Sequence, residues 1–209
     1  MLKTVAIIDY DAGNLTSVAC AIRHLGREPV VTQDPAEVRA AERVIFPGVG
    51  AAGAAMENLR QLQLDRAIED VFESGKPVLG ICVGYQVILE HSEEDQGTDC
   101  LGILKGKVKR FRFAPGVVRK IPHMGWNEVR FENHHPVFQD LPEGSQFYFV
   151  HSYYPLPKDA AVVQGTAVYG GVQFAAAMAY RNLAAVQFHP EKSGQPGLRI
   201  LENFLTWKP

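Results

Sequence analysis

Long apolar runs, cysteines and net charge are all scarce in this 209-residue chain. Its three cysteines, at 20, 82 and 100, are too few and too scattered for a disulfide framework, and they favour a reducing compartment such as the cytoplasm. No apolar run approaches the length that spans a bilayer, so we expect no membrane association. The segment 1–9 places an acid directly after a short apolar run, which indicates a first strand rather than a signal peptide.

Charge of one sign is not in excess either. Lysine and arginine number 21 and aspartate and glutamate 23, which gives a formal net charge of −2 at pH 7. A bulk attraction to nucleic acid is therefore not expected. Lys105, Lys107 and Lys109 lie in one basic stretch, but their period of two favours the solvated face of a strand.

The histidines form no recognisable metal motif. His123 and His151 lie in separate aromatic-rich segments, and neither has a companion at ligand spacing. His134 and His135 stand together in a turn before a proline, where histidines are more often solvated than ligating. We therefore expect no metal and no other cofactor.

The first half of the chain alternates strands and helices. Strands are predicted over residues 4–8, 29–32, 43–46 and 77–81. One helix is predicted over 14–25, and a second begins at the Asp34–Pro35 start signal. A third runs from after the Pro47–Gly50 segment to about residue 74, and a fourth from Cys82 to about residue 91. This alternation implies parallel pairing and a doubly wound α/β sheet.

The second half is dominated by strands. They are predicted over 105–111, 126–131, 146–153, 161–169, 172–180 and 182–188, with a tight turn at Gly170–Gly171 and a last helix over 197–207. No linker, repeat or low-complexity tract interrupts the chain, so we expect residues 1–209 to form one domain.

The segment from Gly80 to Gly84 is the most informative part of the sequence. An apolar strand ends there in Gly-x-Cys-x-Gly, which is typical of a sharp strand-to-helix turn with a nucleophile at its tip. Glycines are needed because the turn is crowded, and a helix N-terminus favours the thiolate of Cys82 over the thiol.

The segment from His189 to Glu191 supplies a candidate base. Residues i and i+2 of an extended chain point the same way, so the carboxylate of Glu191 can orient the imidazole of His189. A lone histidine at a strand end is more often structural, but Cys82 and Glu191 together favour catalysis. Pro47–Gly50, between a strand and a helix, is consistent with an oxyanion hole or with a phosphate cradle; beside a cysteine nucleophile it favours acyl transfer.

These motifs resemble those of class I (triad) glutamine amidotransferases. The resemblance is carried by Gly-Ile-Cys-Val-Gly-Tyr-Gln at 80–86, Pro-Gly-Val-Gly at 47–50 and His-Pro-Glu at 189–191. Further segments at 13–14, 122–127, 148–153 and 187–193 are similar to the glutaminase subunits of imidazole glycerol phosphate synthases. The Pro-His-Met-Gly-Trp-Asn segment is the most specific of these.

The resemblance implies a flavodoxin-like, mostly parallel sheet flanked by helices, with an added antiparallel portion. It implies hydrolysis of glutamine by a catalytic triad of Cys82, His189 and Glu191. The oxyanion hole would be formed by backbone N–H groups of Gly50 and Val83. Glutamine would be held by Gln86, Glu94 and the backbone around His151, Ser152 and Tyr153.

The resemblance also implies a partner, a (β/α)8-barrel cyclase subunit that would receive the ammonia and form a heterodimer with this chain in histidine biosynthesis. Candidates for the surface that faces it are Asn14, Pro122, Met124, Trp126 and Lys192. For Met124 and Trp126, simple core packing is an alternative. Rival functions are the glutaminase of another ammonia-channelling complex, such as pyridoxal phosphate synthase, a peptide-cleaving cysteine hydrolase, and a non-catalytic interaction module.

Overall fold

Strands and helices alternate through the first half of the fold, as the sequence predicts. The computed structural model describes residues 4–11, 13, 15–132 and 135–209, so Asn14 and His134 lie outside the described residues. The elements of this half are β1 (Val5–Ile8), α1 (Leu15–His24), β2 (Pro29–Thr32), α2 (Pro35–Ala40), β3 (Arg43–Gly48), α3 (Ala52–Gln61), α4 (Leu64–Glu73), β4 (Val78–Cys82) and α5 (Val83–Gln86).

The second half consists mainly of strands and ends in a helix. Its elements are β5 (His91–Ser92), β6 (Thr98–Asp99), β7 (Gly106–Arg110), β8 (His123–Glu128), β9 (Arg130–Phe131), β10 (Gln146–His151), β11 (Tyr153–Pro157), β12 (Val163–Tyr169), β13 (Val172–Tyr180), β14 (Leu183–Val186) and α6 (Gly194–Thr206). The Gly170–Gly171 turn joins β12 to β13, and both glycines have the positive φ that a tight hairpin turn requires.

An eight-stranded sheet forms the centre of the fold, in the order β2-β1-β3-β4-β14-β13-β12-β9. The first five strands are parallel, and the last three continue antiparallel. Two smaller sheets, β10-β8 and β11-β7-β5-β6, add the remaining strands. This architecture confirms the predicted α/β class with a mostly parallel sheet and an antiparallel portion.

The central parallel strands are buried along their whole length. Every residue of β1, β3, β4 and β14 is buried, as expected for strands covered on both faces. Helices α2, α3 and α4 pack together, and α1 contacts α6. The register pairs Gly48 with Cys82 and Ile81 with Val186, so the carboxyl ends of β3, β4 and β14 meet at one edge.

Two helices differ from their predicted extents. The helix expected up to about residue 74 is two helices, and the break lies at Gln63, whose φ is 57°. The helix expected from Cys82 to about residue 91 ends at Gln86. The carbonyls of residues 87–90 accept hydrogen bonds from backbone N–H groups of residues 100–104, so this tertiary contact replaces further helical bonds.

The helical pattern around Cys20 predicts a small buried residue at this position, and this prediction is wrong. Cys20 is exposed, because α1 turns its neighbours Ala19 and Ala21 toward the core instead. In the described part of the chain, no helix is both long and apolar enough to cross a membrane.

Candidate active site

Cys82 lies at a strained turn between β4 and α5. Its backbone has φ 54° and ψ −108°, a conformation that a residue with a side chain rarely adopts. A Cβ atom on Gly84 would collide with the carbonyl oxygen of Phe46, and one on Gly80 would lie 2.7 Å from the side chain of Ile88. The glycines that flank the cysteine therefore let α5 pack tightly against β3 and β4.

The sulfur of Cys82 is buried and faces two protein groups on one side. The side-chain amide of Gln187 donates a hydrogen bond to Sγ over 3.6 Å. The carbonyl oxygen of Val150, in β10, lies 4.0 Å from Sγ and can accept the thiol proton. Elements from both halves of the chain therefore define the position of the sulfur.

His189 follows β14, and hydrogen bonds hold both its backbone N–H and its backbone carbonyl. Its N–H donates to the carbonyl oxygen of Tyr148 over 2.9 Å, and its carbonyl oxygen accepts from the hydroxyl of Ser193 over 2.6 Å. The hydroxyl of Ser193 also accepts from the N–H of Tyr148 over 3.0 Å. These bonds hold the histidine against β10, beside the cysteine.

Glu191 lies against the imidazole of His189, but the extended chain that the sequence predicts here is wrong, because Pro190–Lys192 is a 3-10 turn that brings the carboxylate back to the ring. Its Oε1 lies 2.8 Å from Nδ1 of His189, and both side chains are only 2% exposed. A carboxylate can only accept, so Nδ1 carries a proton and Nε2 is the atom that can exchange one. Nε2 has no hydrogen-bond partner among the residues described.

The electrostatics of this group favour a charged imidazole. Burial alone lowers the pKa of His189, but the neighbouring Cys82 sulfur and the Glu191 carboxylate outweigh burial and raise it. The raised pKa means that the imidazole of His189 holds a proton near Cys82, where a departing group could take it.

A cavity of about 270 Å³ opens in front of Cys82 and His189. It brings together the predicted catalytic, oxyanion and substrate-binding residues except Glu191, which lies behind His189. The lining residues are Val49, Gly50, Cys82, Val83, Gln86, Glu94, Pro122, Val150, His151, Ser152, Tyr153 and His189. A larger cavity of about 870 Å³ lies beside β9, but no cysteine or histidine is among the described residues that line it.

Glu94 connects the cavity to the helix that follows the Pro47–Gly50 turn. Its Oε2 accepts from the backbone N–H of Ala52, at the start of α3, over 2.8 Å. Burial raises the pKa of Glu94 although this hydrogen bond opposes the shift. The carboxylate is thus half-buried at the cavity wall, where a cationic group of a ligand would relieve its desolvation.

Gln86 connects the wall of the cavity to the neighbourhood of the sulfur. Its amide nitrogen donates to the carbonyl oxygen of Tyr153 over 2.9 Å and to Oε1 of Gln187 over 3.0 Å. His151 also donates from Nδ1 to the carbonyl of Tyr153, over 2.7 Å. The carbonyl of Tyr153 therefore anchors the side chains of both Gln86 and His151.

His123 and His151 form a buried pair that sequence reasoning missed. They are directly opposite each other on β8 and β10, and Nδ1 of His123 lies 3.0 Å from Nε2 of His151. Burial lowers the pKa of His123 to about 4 and, with smaller effects of other groups, that of His151 to about 3. No spacing along the chain reveals this pair, because strand pairing brings it together.

The predicted partner-facing residues that the structure describes lie in two different settings. Pro122 lines the cavity, whereas Lys192 is exposed. Met124 and Trp126, on β8, are 63% and 56% exposed, which excludes core packing as the explanation for either. Asn14 is outside the described residues.

Comparison with known sequences identifies the family of this chain. Residues 6–207 match the sequence model of the family described as glutamine amidotransferase class-I. The chain is 49% identical to the imidazole glycerol phosphate synthase subunit HisH of Pseudomonas putida, and the match covers 99% of this chain and 98% of that protein. It is 48% identical to the same subunit of Methylococcus capsulatus, with 100% and 98% covered.

Solved structures extend the similarity to the fold. PurLQS from Thermotoga maritima matches with a TM-score of 0.73 at 19% identity, over 98% of each chain. A glutamine amidotransferase from Thermotoga maritima matches with a TM-score of 0.65 at 18% identity, over 97% of this chain and 82% of that one. At these identities the structures show the fold alone, whereas the sequence matches show that this chain belongs to the class I glutamine amidotransferases and, among them, to the HisH subunits of imidazole glycerol phosphate synthase.

Proposed function

We propose that residues 1–209 form one glutaminase domain that hydrolyses glutamine to glutamate and ammonia. The observation that carries this proposal is the meeting of Cys82 and His189 at one small cavity, with Glu191 hydrogen-bonded behind the imidazole. A nucleophile, a base and a group that orients the base are the parts that acyl transfer requires.

The first half of the reaction forms a thioester. The thiolate of Cys82 attacks the carboxamide carbon of glutamine, and the carbonyl π electrons move onto oxygen. The tetrahedral intermediate collapses, the C–N bond breaks, and the nitrogen takes the proton held at Nε2 of His189. Ammonia leaves, and the γ-glutamyl group remains on sulfur.

The second half regenerates the enzyme. Neutral His189 removes a proton from water, the hydroxide oxygen attacks the thioester, and the C–S bond breaks to release glutamate. Glu191 keeps Nδ1 protonated through both halves, so that Nε2 alone exchanges protons. Gly50 and Val83 line the cavity beside the sulfur, where their N–H groups are suited to stabilise the oxyanion.

The wall of the cavity suits the two charged ends of an amino acid. The carboxylate of Glu94 faces the cavity and is suited to the α-ammonium group of glutamine. His151, Ser152 and Tyr153 also line the cavity, and their backbone is suited to the α-carboxylate. Gln86, which lines the same cavity and bonds to the carbonyl of Tyr153, completes the proposed substrate site.

The name of the relatives, subunit HisH, points to a larger complex. We propose that the partner is a (β/α)8-barrel cyclase subunit that uses the ammonia to make imidazole glycerol phosphate and an aminoimidazole carboxamide ribonucleotide. Exposed apolar side chains at Met124 and Trp126 support a protein contact there. Enclosed transfer keeps ammonia unprotonated, whereas in neutral water it becomes a non-nucleophilic ammonium ion.

The test is release of glutamate from glutamine by the purified chain, alone and together with the nucleotide substrate and the cyclase subunit. We expect strong stimulation in the complete mixture, loss of turnover in Cys82→Ala, and normal turnover in the matched variant Cys100→Ala, which lies outside the cavity. Substantial turnover by Cys82→Ala would exclude the nucleophile assignment, and no glutamate under any condition would exclude the function.

A further inference from the structure

Gln187 is a fully buried polar residue, and both the oxygen and the nitrogen of its side-chain amide form hydrogen bonds. It is 0% exposed and immediately follows β14. Its Oε1 accepts from Nε2 of Gln86 over 3.0 Å, and its Nε2 donates to Sγ of Cys82 over 3.6 Å. A buried amide is costly unless its donors and acceptors are satisfied, so this position needs a specific reason.

The hydrogen-bond pattern fixes the direction in which this amide points. Nε2 of Gln86 faces the carbonyl oxygen of Tyr153, which can only accept, so the nitrogen of Gln86 is on that side. The same nitrogen faces Gln187, so Gln187 presents its oxygen to Gln86. The nitrogen of Gln187 must therefore face the sulfur; the reverse orientation would oppose two donors.

We propose that Gln187 is a positioning residue that holds the Cys82 sulfur with an N–H donor and stabilises it as a thiolate. A hydrogen bond to an anion is stronger than one to a neutral thiol, so the contact favours the reactive form. This inference rests on the proposed role of Cys82 as the nucleophile. It adds to the triad a group from the strand end two residues before the base.

The same network transmits the geometry of the substrate site to the sulfur. The carbonyl of Tyr153 fixes Gln86, Gln86 fixes the oxygen of Gln187, and this leaves the nitrogen of Gln187 directed at Sγ. A shift of the wall near Tyr153 would therefore change the donor that faces the thiolate. Three consecutive hydrogen bonds thus connect the carbonyl of Tyr153, at the cavity wall, to the sulfur of Cys82.

Other titratable groups near the sulfur are the same in wild type and variants. His189 pairs with the sulfur, and His151 and Glu94 line the same cavity. Tyr10 is buried near the cysteine, and burial, reinforced by the sulfur, raises its pKa. A difference in pH dependence between wild type and a residue-187 variant therefore reports the donor and not these groups.

The experiment measures the rate of Cys82 alkylation by iodoacetamide as a function of pH, without glutamine. Cys20→Ser and Cys100→Ser are introduced first, so that Cys82 is the only thiol. In Gln187→Met we expect the midpoint of the profile to move to higher pH by about one unit, a tenfold change in the thiolate–thiol equilibrium. Gln164→Met, a matched buried glutamine on β12, is expected to leave the midpoint unchanged.

Further variants separate a direct effect from a structural one. Gln187→Asn shortens the amide by one methylene and is expected to raise the midpoint as well, which keeps the test available if the methionine variant does not fold. Gln86→Met removes the anchor but leaves the donor, so its shift should be smaller. Thermal unfolding of each variant reports folding separately.

Each outcome decides between the explanations. An unchanged midpoint in a folded Gln187 variant overturns the proposal, and so does an equal or larger shift in Gln86→Met. Because alkylation needs neither glutamine nor a partner, a shifted midpoint without any glutaminase activity would sustain the role of Gln187 while excluding the proposed function. Activity with an unshifted midpoint would do the reverse.

Discussion

At the scale of single residues, His189 and Glu191 differ in how many hydrogen bonds fix their positions. The backbone of His189 is bonded on both sides, and its Nδ1 is fixed by Glu191. Glu191 makes that contact through Oε1, while its buried Oε2 has no hydrogen-bond partner within the described ranges. The base is therefore positioned by the fold, and Glu191 adjusts its tautomer and charge.

This difference predicts a ranking of mutations. His189→Ala removes the proton carrier and is expected to lower kcat by about 10²–10⁴-fold. Glu191→Ala leaves a base held by its backbone, so the loss should be at least about tenfold smaller. Steady-state glutaminase rates of the full complex check this, with the exposed Glu202→Ala as a control. Equal losses would mean that Glu191 does more than orient the base.

The sequence predicts residues whose relation is local. Cys82 is recognised by its flanking glycines, and Glu191 by its spacing from His189. The contact of Gln187 with Cys82 joins residues 105 positions apart, and that of His123 with His151 spans 28 positions. Neither has a local pattern, because sheet pairing creates both.

At the scale of elements, the turn after β4 depends on how closely α5 approaches β3. The α-carbon of Gly84 faces the carbonyl oxygen of Phe46, so there is no space for a side chain. Helix α5 itself has four residues, and the carbonyls of residues 87–90, which follow it, accept hydrogen bonds from N–H groups of residues 100–104 instead of continuing the helix. The turn is therefore maintained by packing rather than by helix length.

We predict that Gly84→Ala destabilises the protein and lowers activity together. The added methyl group must push against backbone, which costs about 1–3 kcal/mol of unfolding free energy or more. Gly53→Ala is the matched control, because its methyl group meets the end of the flexible Asp95 side chain. Thermal and denaturant unfolding check the difference, and equal stability of the two variants would contradict it.

Element boundaries follow the sequence where they depend on local chemistry. Strands β2 and β13 have their predicted bounds, and Asp34 caps α2 by accepting from the N–H of Ala36 over 2.8 Å. The end of α5 and the break at Gln63 were missed. Helix α5 ends where long-range backbone hydrogen bonds begin, and no glycine or proline marks the break at Gln63.

At the scale of the whole molecule, the buried His123–His151 pair makes stability depend on pH. In the unfolded chain these residues bind protons below about pH 6.5, whereas in the folded protein they do so only near pH 4 and 3. The unfolded state therefore binds more protons in this range. The contribution of this pair to stability is therefore full above about pH 6.5 and is lost as the pH falls through about 4 and 3.

We predict that in His123→Gln the unfolded state takes up about one proton fewer relative to the folded state, so that the free energy of unfolding falls less steeply with decreasing pH. The free energy of unfolding, measured by denaturant titration between pH 7 and about 4, gives the slope directly. The exposed His24→Gln serves as a control and should leave the wild-type slope unchanged. A His123 variant with the full wild-type slope would show that other groups cause the acid sensitivity.

The exposed surface of β8 bears on assembly. We predict that Trp126→Ala weakens association with the cyclase subunit by about tenfold or more, while the stability of the free chain changes little, because the side chain is exposed there. Titration calorimetry measures the first effect and thermal unfolding the second. Leu156→Ala, also exposed but on β11, is the matched control, and an equal effect of both variants would place the contact elsewhere.

The position of β14 has a consequence for synthesis on the ribosome. This strand is made after both β4 and β13, yet it lies between them in the sheet, and His189 follows it directly. A growing chain that has not yet reached this strand has a gap in its core, and Cys82 has no His189 beside it. With His189 as the proposed base, we expect a growing chain to consume no glutamine until this strand and residue 189 have been made.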